Sequence, residues 1–240
     1  MEEDLFTFNK IWNNKPVLRE VYSNYFKKIK DSCVNGLTLE IGGGSGNLKD
    51  YLSNVISTDI QYASWIDVVG DAQLLPFDND SIDNIILLDV LHHLQFPKLF
   101  FKEASRVLKS KGRIILLEPG ITPMSRFFYS YFHHEPVDMN ADPLLEGKIK
   151  NNRDPYDSNQ AIPTLLFGKY KSEFEKIFPN FKLIEKNFFS LLAYPLSGGF
   201  KKWSLISKNM VPLILKFEDK LIPLLGKFMG FRLFIIIEKT

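Results

Sequence analysis

Between Leu37 and Glu118 the chain carries a series of short apolar runs, LTLEI, NVISTD, WIDVV, IDNIILLD and GRIILLE, each too short for a helix and rich in Ile, Leu and Val. Runs of this length, bounded by Gly, Asp and Ser, read as strands, and their near-continuous apolarity suits strands buried on both faces. Between the last two, FPKLFFKEASRVL places Phe100, Ala104, Val107 and Leu108 at helical spacing. Strands alternating with helices or loops require a parallel sheet covered by helices, which is α/β architecture. Two further runs, FKLIEKNFFSLL and FRLFIIIEK, bring the expected strands to seven. A helix precedes them from Pro16, with Leu18, Val21, Tyr22, Tyr25 and Ile29 on one face and Pro16 in its first turn. TLLFGKYKSEFEKIF resumes helical spacing through Leu166, Tyr170, Phe174 and Ile177.

Two stretches break this order. Residues 121–163 mix aromatics with Pro, Asn and Asp in no steady period, as a cap would. Residues 195–230 carry Leu213, Phe217, Leu221, Leu224 and Phe228 on one helical face, with a break or kink expected at Pro223. The expected organisation is one domain over 1–240, with its core at about 37–120, 164–194 and 231–240 and the caps between. With 240 residues and 45% hydrophobic content, a single substantial core is within reach.

Charge and cysteine usage narrow the setting. Thirty basic and 28 acidic residues give a net charge of +2, so no nucleic-acid partner is expected. The single Cys33 permits no internal disulfide and no cysteine-rich metal site, in keeping with a reducing, cytoplasmic environment. MEEDLFTFNK is acidic where a secretory leader is basic, and no apolar run reaches the roughly 20 residues of a membrane span. Residues 201–239 are nevertheless rich in Lys, Arg, Trp and aliphatics, a pattern expected of a cap over the site or a homodimer surface, with peripheral membrane contact as the alternative.

The first apolar run ends in LEIGGGSGNL. A dinucleotide fingerprint needs a third glycine where Asn47 stands, and a phosphate-binding Walker loop needs Gly-Lys-Ser/Thr where Gly46-Asn47-Leu48 stands. The order is instead Glu40-x-Gly42-x-Gly44-x-Gly46, with Gly43 between. Glycines let the backbone approach a bulky ligand, and a carboxylate such as Glu40 suits a cationic one. A helix N-terminus behind the turn is expected to favour the ligand's carboxylate.

This pattern, followed in order by Asp59 at the end of NVISTDI, Asp71 and Ala72 in GDAQLLPFDNDSID, and IILLDVLHHL, resembles class I S-adenosylmethionine-dependent methyltransferases of the type 11 family. The resemblance runs from Leu37 to Pro119. It implies a Rossmann-like three-layer sandwich, with a mostly parallel seven-stranded sheet, an antiparallel last strand and cap insertions. It implies S-adenosyl-L-methionine as cofactor, held by Glu40 and the glycines at its amino-acid end, by Asp59 and Ile60 at the ribose, and by Asp71 and Ala72 at the adenine. Asp89 borders the same site, and Arg19 and Tyr22 are expected to close over the methionine end. A noncatalytic cofactor-binding subunit and a nicotinamide oxidoreductase are the alternatives, the latter disfavoured by Asn47.

The acceptor is expected to be a small molecule, sugar-like or lipid-linked, methylated at a hydroxyl oxygen. Neither the DNA amino-methyltransferase (D/N)PPY nor a Pro-Cys nucleophile is present. A hydroxyl acceptor must lose a proton, the work of a general base. All four histidines fall in two adjacent pairs, His92-His93 and His133-His134, and His134, His93 and Glu135 are the candidate catalytic residues. No metal is expected, since the spacing matches no zinc signature.

Overall fold

The computed structural model describes residues 5–149 and 153–240; residues 1–4, and residues 150–152 within the first expected cap, lie outside the described residues. Helices α1 (Leu5–Asn14) and α2 (Pro16–Ser32) lead into β1 (Thr38–Ile41), β2 (Val55–Asp59), β3 (Val68–Val69) and β4 (Ile82–Leu88). Helix α3 (Pro97–Val107), β5 (Leu108–Pro119), α4 (Pro123–Phe132), α5 (Ile162–Leu166) and α6 (Lys171–Ile177) follow. Strand β6 (Phe181–Phe189), α7 (Ala193–Ser197), α8 (Val211–Met229) and β7 (Arg232–Lys239) complete the chain.

The sheet has seven strands in the order β3-β2-β1-β4-β5-β7-β6. Strands β1 to β5 are parallel, and β7 runs antiparallel to both β5 and β6. Successive side chains of a strand point to opposite faces, and the central strands alternate accordingly. Ile85, Leu87, Ile114, Leu116, Leu233 and Ile235 pack under Phe100, Phe101, Ala104, Phe167 and Phe174. Ile86, Ile115, Leu117, Phe234 and Ile236 pack under Trp12, Leu18, Val21, Tyr25, Ile29 and Val211. Each fully buried aliphatic contributes about 1.5–3 kcal/mol, so this two-faced stack supplies most of the drive to fold and fixes the three layers.

Several elements depart from expectation. No α-helix follows the glycine turn; Leu48–Asp50 form a single 3-10 turn, too short to present a helix N-terminus to an anion. TLLFGKYKSEFEKIF splits into α5 and α6 around Gly168, whose N–H closes a turn on Leu165. Helix α8 runs unbroken through Pro223. It also sits in the helical layer: Val211 joins the core on α2 and the sheet, and Gly226 lies where a Cβ would come within 2.6 Å of the Phe188 carbonyl. Only the segment before α8 reaches the crevice described next.

Candidate active site

Parallel strands deliver their carboxyl ends to one edge of the sheet, where ligands of open α/β folds bind. There a crevice of about 1090 Å³ opens, lined by the turn after β1, the ends of β2, β4 and β5, and the start of β7. The antiparallel β7 begins where the parallel strands end, so its first residue, Arg232, arrives opposite Pro119 at that same edge.

The glycine turn forms the floor. Gly42 adopts φ +69° and lies where a Cβ would come within 2.3 Å of Val90. Gly44, at φ +49°, would place a Cβ into open crevice with nothing nearer than the Gly42 carbonyl at 3.7 Å, so the backbone itself is offered to a ligand. Gly46 lies against the Trp65 ring and does not line the crevice. Asp59 fastens the turn: its Oδ2 accepts the Gly44 N–H at 3.1 Å and its Oδ1 the Gln61 N–H at 2.9 Å. Ile60 beside it is exposed into the crevice, and Asp71 and Ala72 line the same end. Gln73 holds Asp71, donating its backbone N–H at 2.8 Å.

Glu40 lies buried in β1, accepting the Ser57 hydroxyl at 2.5 Å. Burial pushes its carboxyl up to about 8, the Ser57 hydrogen bond offsetting only part of that. A cation entering beside it stabilises the ionised form, so this end of the crevice favours a positively charged group.

The other end is built around a clamped histidine. The His92 Nδ1 lies 2.7 Å from Glu118 Oε2, and its Nε2 lies 3.4 Å from Glu135 Oε2. Burial alone would lower the imidazole, but the two carboxylates outweigh it and raise it to about 10. Glu118 Oε1 also accepts the N–H groups of Val90 and Leu91, pinning the turn that carries both histidines. Next to this imidazolium, His93 is driven the other way, to about 4, by burial and by the charge on His92. Its Nδ1 is buried with no hydrogen-bond partner, as is Gln160 Oε1 on the facing segment. One ligating atom each from His92, His93 and Glu135 falls within 4.8 Å of the others, a spacing that here serves ion pairing because both His92 nitrogens face carboxylates.

Three segments cover the crevice. Helix α1 lies over the glycine turn, with Asn9 donating to the Ser45 carbonyl at 2.9 Å. Its Phe8 meets Tyr156 of the first cap at 6.2 Å and Phe200 of the second at 5.3 Å. Lys15, buried between α1 and α2, donates to the carbonyls of Gly199, Lys201 and Trp203 at 2.6, 2.6 and 2.9 Å, fixing the third segment. Phe128, Tyr129 and Tyr194 supply apolar wall.

Most residues expected at the site converge on it: Tyr22, Glu40, Asp59, Asp71, Asp89, His93, His134 and Glu135 all line the crevice. Arg19 does not. Its guanidinium donates to the Trp12 and Asn13 carbonyls and so caps α1, because the orphan carbonyls of that helix end lie within its reach. His134 stands at the exposed rim, its ring stacked 4.8 Å from His133. Lys15, Glu118, Gln160, Tyr194 and Arg232 were not singled out from the sequence. Glu118 carries a usable signal, a charge placed directly after the apolar run IILL.

The fold and this crevice define a Rossmann-like domain of the methyltransferase type. Residues 39–116, about a third of the chain, match the family model of a methyltransferase domain. An uncharacterised protein of Methanocaldococcus jannaschii is 29% identical over 104 residues, covering 40% of this chain and 51% of that one. The ubiquinone/menaquinone biosynthesis C-methyltransferase UbiE of Paracoccus denitrificans is 30% identical over 89 residues, 37% of this chain and 34% of that one. The chain thus spans about half the length of the first relative and a third of the second. In fold it is similar to the crystal structure of a possible histamine N-methyltransferase from Thermotoga maritima, with TM-score 0.57, 16% identity and coverage of 99% and 100%.

Proposed function

We propose that the protein transfers a methyl group from S-adenosylmethionine to a hydroxyl oxygen of a small amphiphilic molecule held in the crevice. The observation that carries the reading is the pairing of two opposed ends in one cavity: a glycine floor with Glu40 and Asp59, and a polar cluster holding an uncharged, unpartnered His93 Nδ1. The residues present fit the cofactor. Glu40 would face its ammonium, Gly42 to Gly44 would admit its amino-acid end, Asp59 would accept from the ribose hydroxyls, and Asp71 from the adenine amino group. Bound there, the cofactor supplies a methyl group already activated by its sulfonium.

The chain's own part is alignment and proton handling. Well-oriented reactants can gain roughly 7–11 kcal/mol over free encounter, and α1, the 153–160 segment and the 198–203 loop line the crevice beside them. His93 accepts the acceptor's proton as oxygen attacks. The charge on His92, held there by Glu118 and Glu135, keeps His93 neutral and also makes it a weak base, which suffices because the hydroxyl becomes strongly acidic as its oxygen takes the methyl group. Glu135 acts through His92 as a positioning residue, and His134 orients the acceptor at the rim. The aromatic wall of Phe128, Tyr129 and Tyr194 suits a ligand with an apolar body, such as a lipid-linked one.

The test is transfer of labelled methyl from S-adenosylmethionine into hydroxyl-bearing amphiphiles. Turnover that falls in His93→Ala by roughly 100- to 10,000-fold, with cofactor affinity retained, supports the reading. Full activity in that variant removes His93 as base, and label on nitrogen or carbon overturns the hydroxyl assignment.

A further inference from the structure

The apolar stripe of α8 faces outward. Leu213 is 73% exposed, Phe217 54%, Leu224 80% and Phe228 52%, a row of large apolar side chains that the fold leaves uncovered. The inner face is fully committed: Val211 and Gly226 are buried, and the Glu218 carboxylate accepts the N–H groups of Leu192 and Ala193. The helix therefore cannot roll to bury its stripe.

At 100° per residue, Lys216, Lys220 and Lys227 fall in a second row along one margin of that stripe, all exposed. The helix carries one exposed acid, Asp219, which falls beyond this lysine row. Arg232 and Lys239, which add to the basic count of this part of the sequence, are not on the surface concerned: Arg232 is buried against Asp89, and Lys239 pairs with Asp80. Helix α4, packed beside α8, exposes Met124, Phe127 and Tyr131 as well.

An apolar row bordered by lysines has two chemical demands, a low-dielectric phase and negative charge beside it. A second copy of this helix offers the first and lacks an acidic row for the second. An anionic lipid leaflet offers both. No helix among the described residues is long and apolar enough to cross a membrane, so α8 would lie in the interface plane. We propose that the outer face of α8 is a docking surface for an anionic lipid bilayer, with Leu213, Phe217, Leu224 and Phe228 entering the acyl boundary and the three lysines resting on headgroups. This surface stands apart from the methyl-transfer reading: vesicle binding tests it, and cofactor affinity in the same samples tests the other.

The experiment is co-sedimentation of the intact protein with phosphatidylcholine vesicles, with and without phosphatidylglycerol, at low and high salt, alongside sedimentation velocity without lipid. Binding to the anionic vesicles only, weakened by salt, is expected. Lys216→Gln/Lys220→Gln/Lys227→Gln should weaken it by roughly a hundredfold, and Leu213→Ser/Leu224→Ser should abolish it, both with S-adenosylhomocysteine affinity unchanged as proof of folding. Absence of binding to anionic vesicles by the intact protein overturns the proposal. So does a dimer that the serine variant converts to monomer while vesicle binding is unaffected, which would make the stripe an interface between copies.

Discussion

Arg232 and Asp89 face one another at the carboxyl edge of the sheet, the guanidinium bidentate on the carboxylate, with Nη2 to Oδ2 at 2.7 Å. Asp89 itself sits in left-handed backbone, φ +60°, and Arg232 is almost wholly buried, with the Tyr194 ring 4.2 Å from its Cζ. Tyr22 bridges the pair, accepting from Nη2 at 3.2 Å. The first residue of the antiparallel β7 thereby fixes the residue that follows β4 at the centre of the crevice.

Removing one partner of such a pair leaves a buried charge alone. Arg232→Met is expected to lower the unfolding free energy by about 3 kcal/mol, the lower end of the range because the Asp89 side is partly open to water. Urea unfolding measures it, and adding Asp89→Asn to that variant should recover part of the loss. An Arg232→Met protein as stable as the wild type would mean that the pair contributes nothing.

His92 gives a pH signature. Its folded pKa, about 10, lies above the ordinary 6.5, so the folded protein holds a proton that the unfolded chain releases between those values. Its contribution is complete below about pH 6.5 and is lost as pH rises through 10. The difference in thermal stability between wild type and His92→Gln should therefore shrink steadily across that window. A difference that stays constant with pH contradicts the clamp by Glu118 and Glu135.

Glu40 titrates in a lower window, between the usual 4.5 and about 8. The folded protein again holds the extra proton, so the stability this group lends is lost as pH rises through 8, while the carboxylate then formed attracts a cationic ligand. Affinity for S-adenosylmethionine should rise toward pH 8 more steeply in wild type than in Glu40→Gln. Comparison at each pH cancels the ligand's own titration, and parallel curves would exclude Glu40 from the ligand's surroundings.

The strands were legible because parallel strands buried on both faces must be apolar throughout, and Glu40 and Asp59 stood out as charges at their ends. Other features were not legible, for identifiable reasons. Helix α1 reads as LFTFNKIWNN, whose partners Trp65, Tyr156 and Phe200 lie far along the chain. Arg232 counted as one more base in a basic segment, since only the antiparallel pairing of β7 with β5 reveals that it begins at the ligand edge. Helix α8 is apolar on two sides, with Val211, Ile214, Leu215 and Ile222 turned to the core, so periodicity alone did not say which side faces outward. The histidines were found as pairs, but their division into a charged His92 and a neutral His93 depends on Glu118, brought in by β5.

Binding of S-adenosylhomocysteine measured by calorimetry, on wild type and on Asp59→Ala, tests the central claim most directly. One site per chain is expected in the wild type, weakened roughly ten- to hundredfold in the variant, with Asp59→Asn falling between because it still accepts from Gly44. No heat with S-adenosylhomocysteine, or an affinity that Asp59→Ala leaves unchanged, would contradict the account.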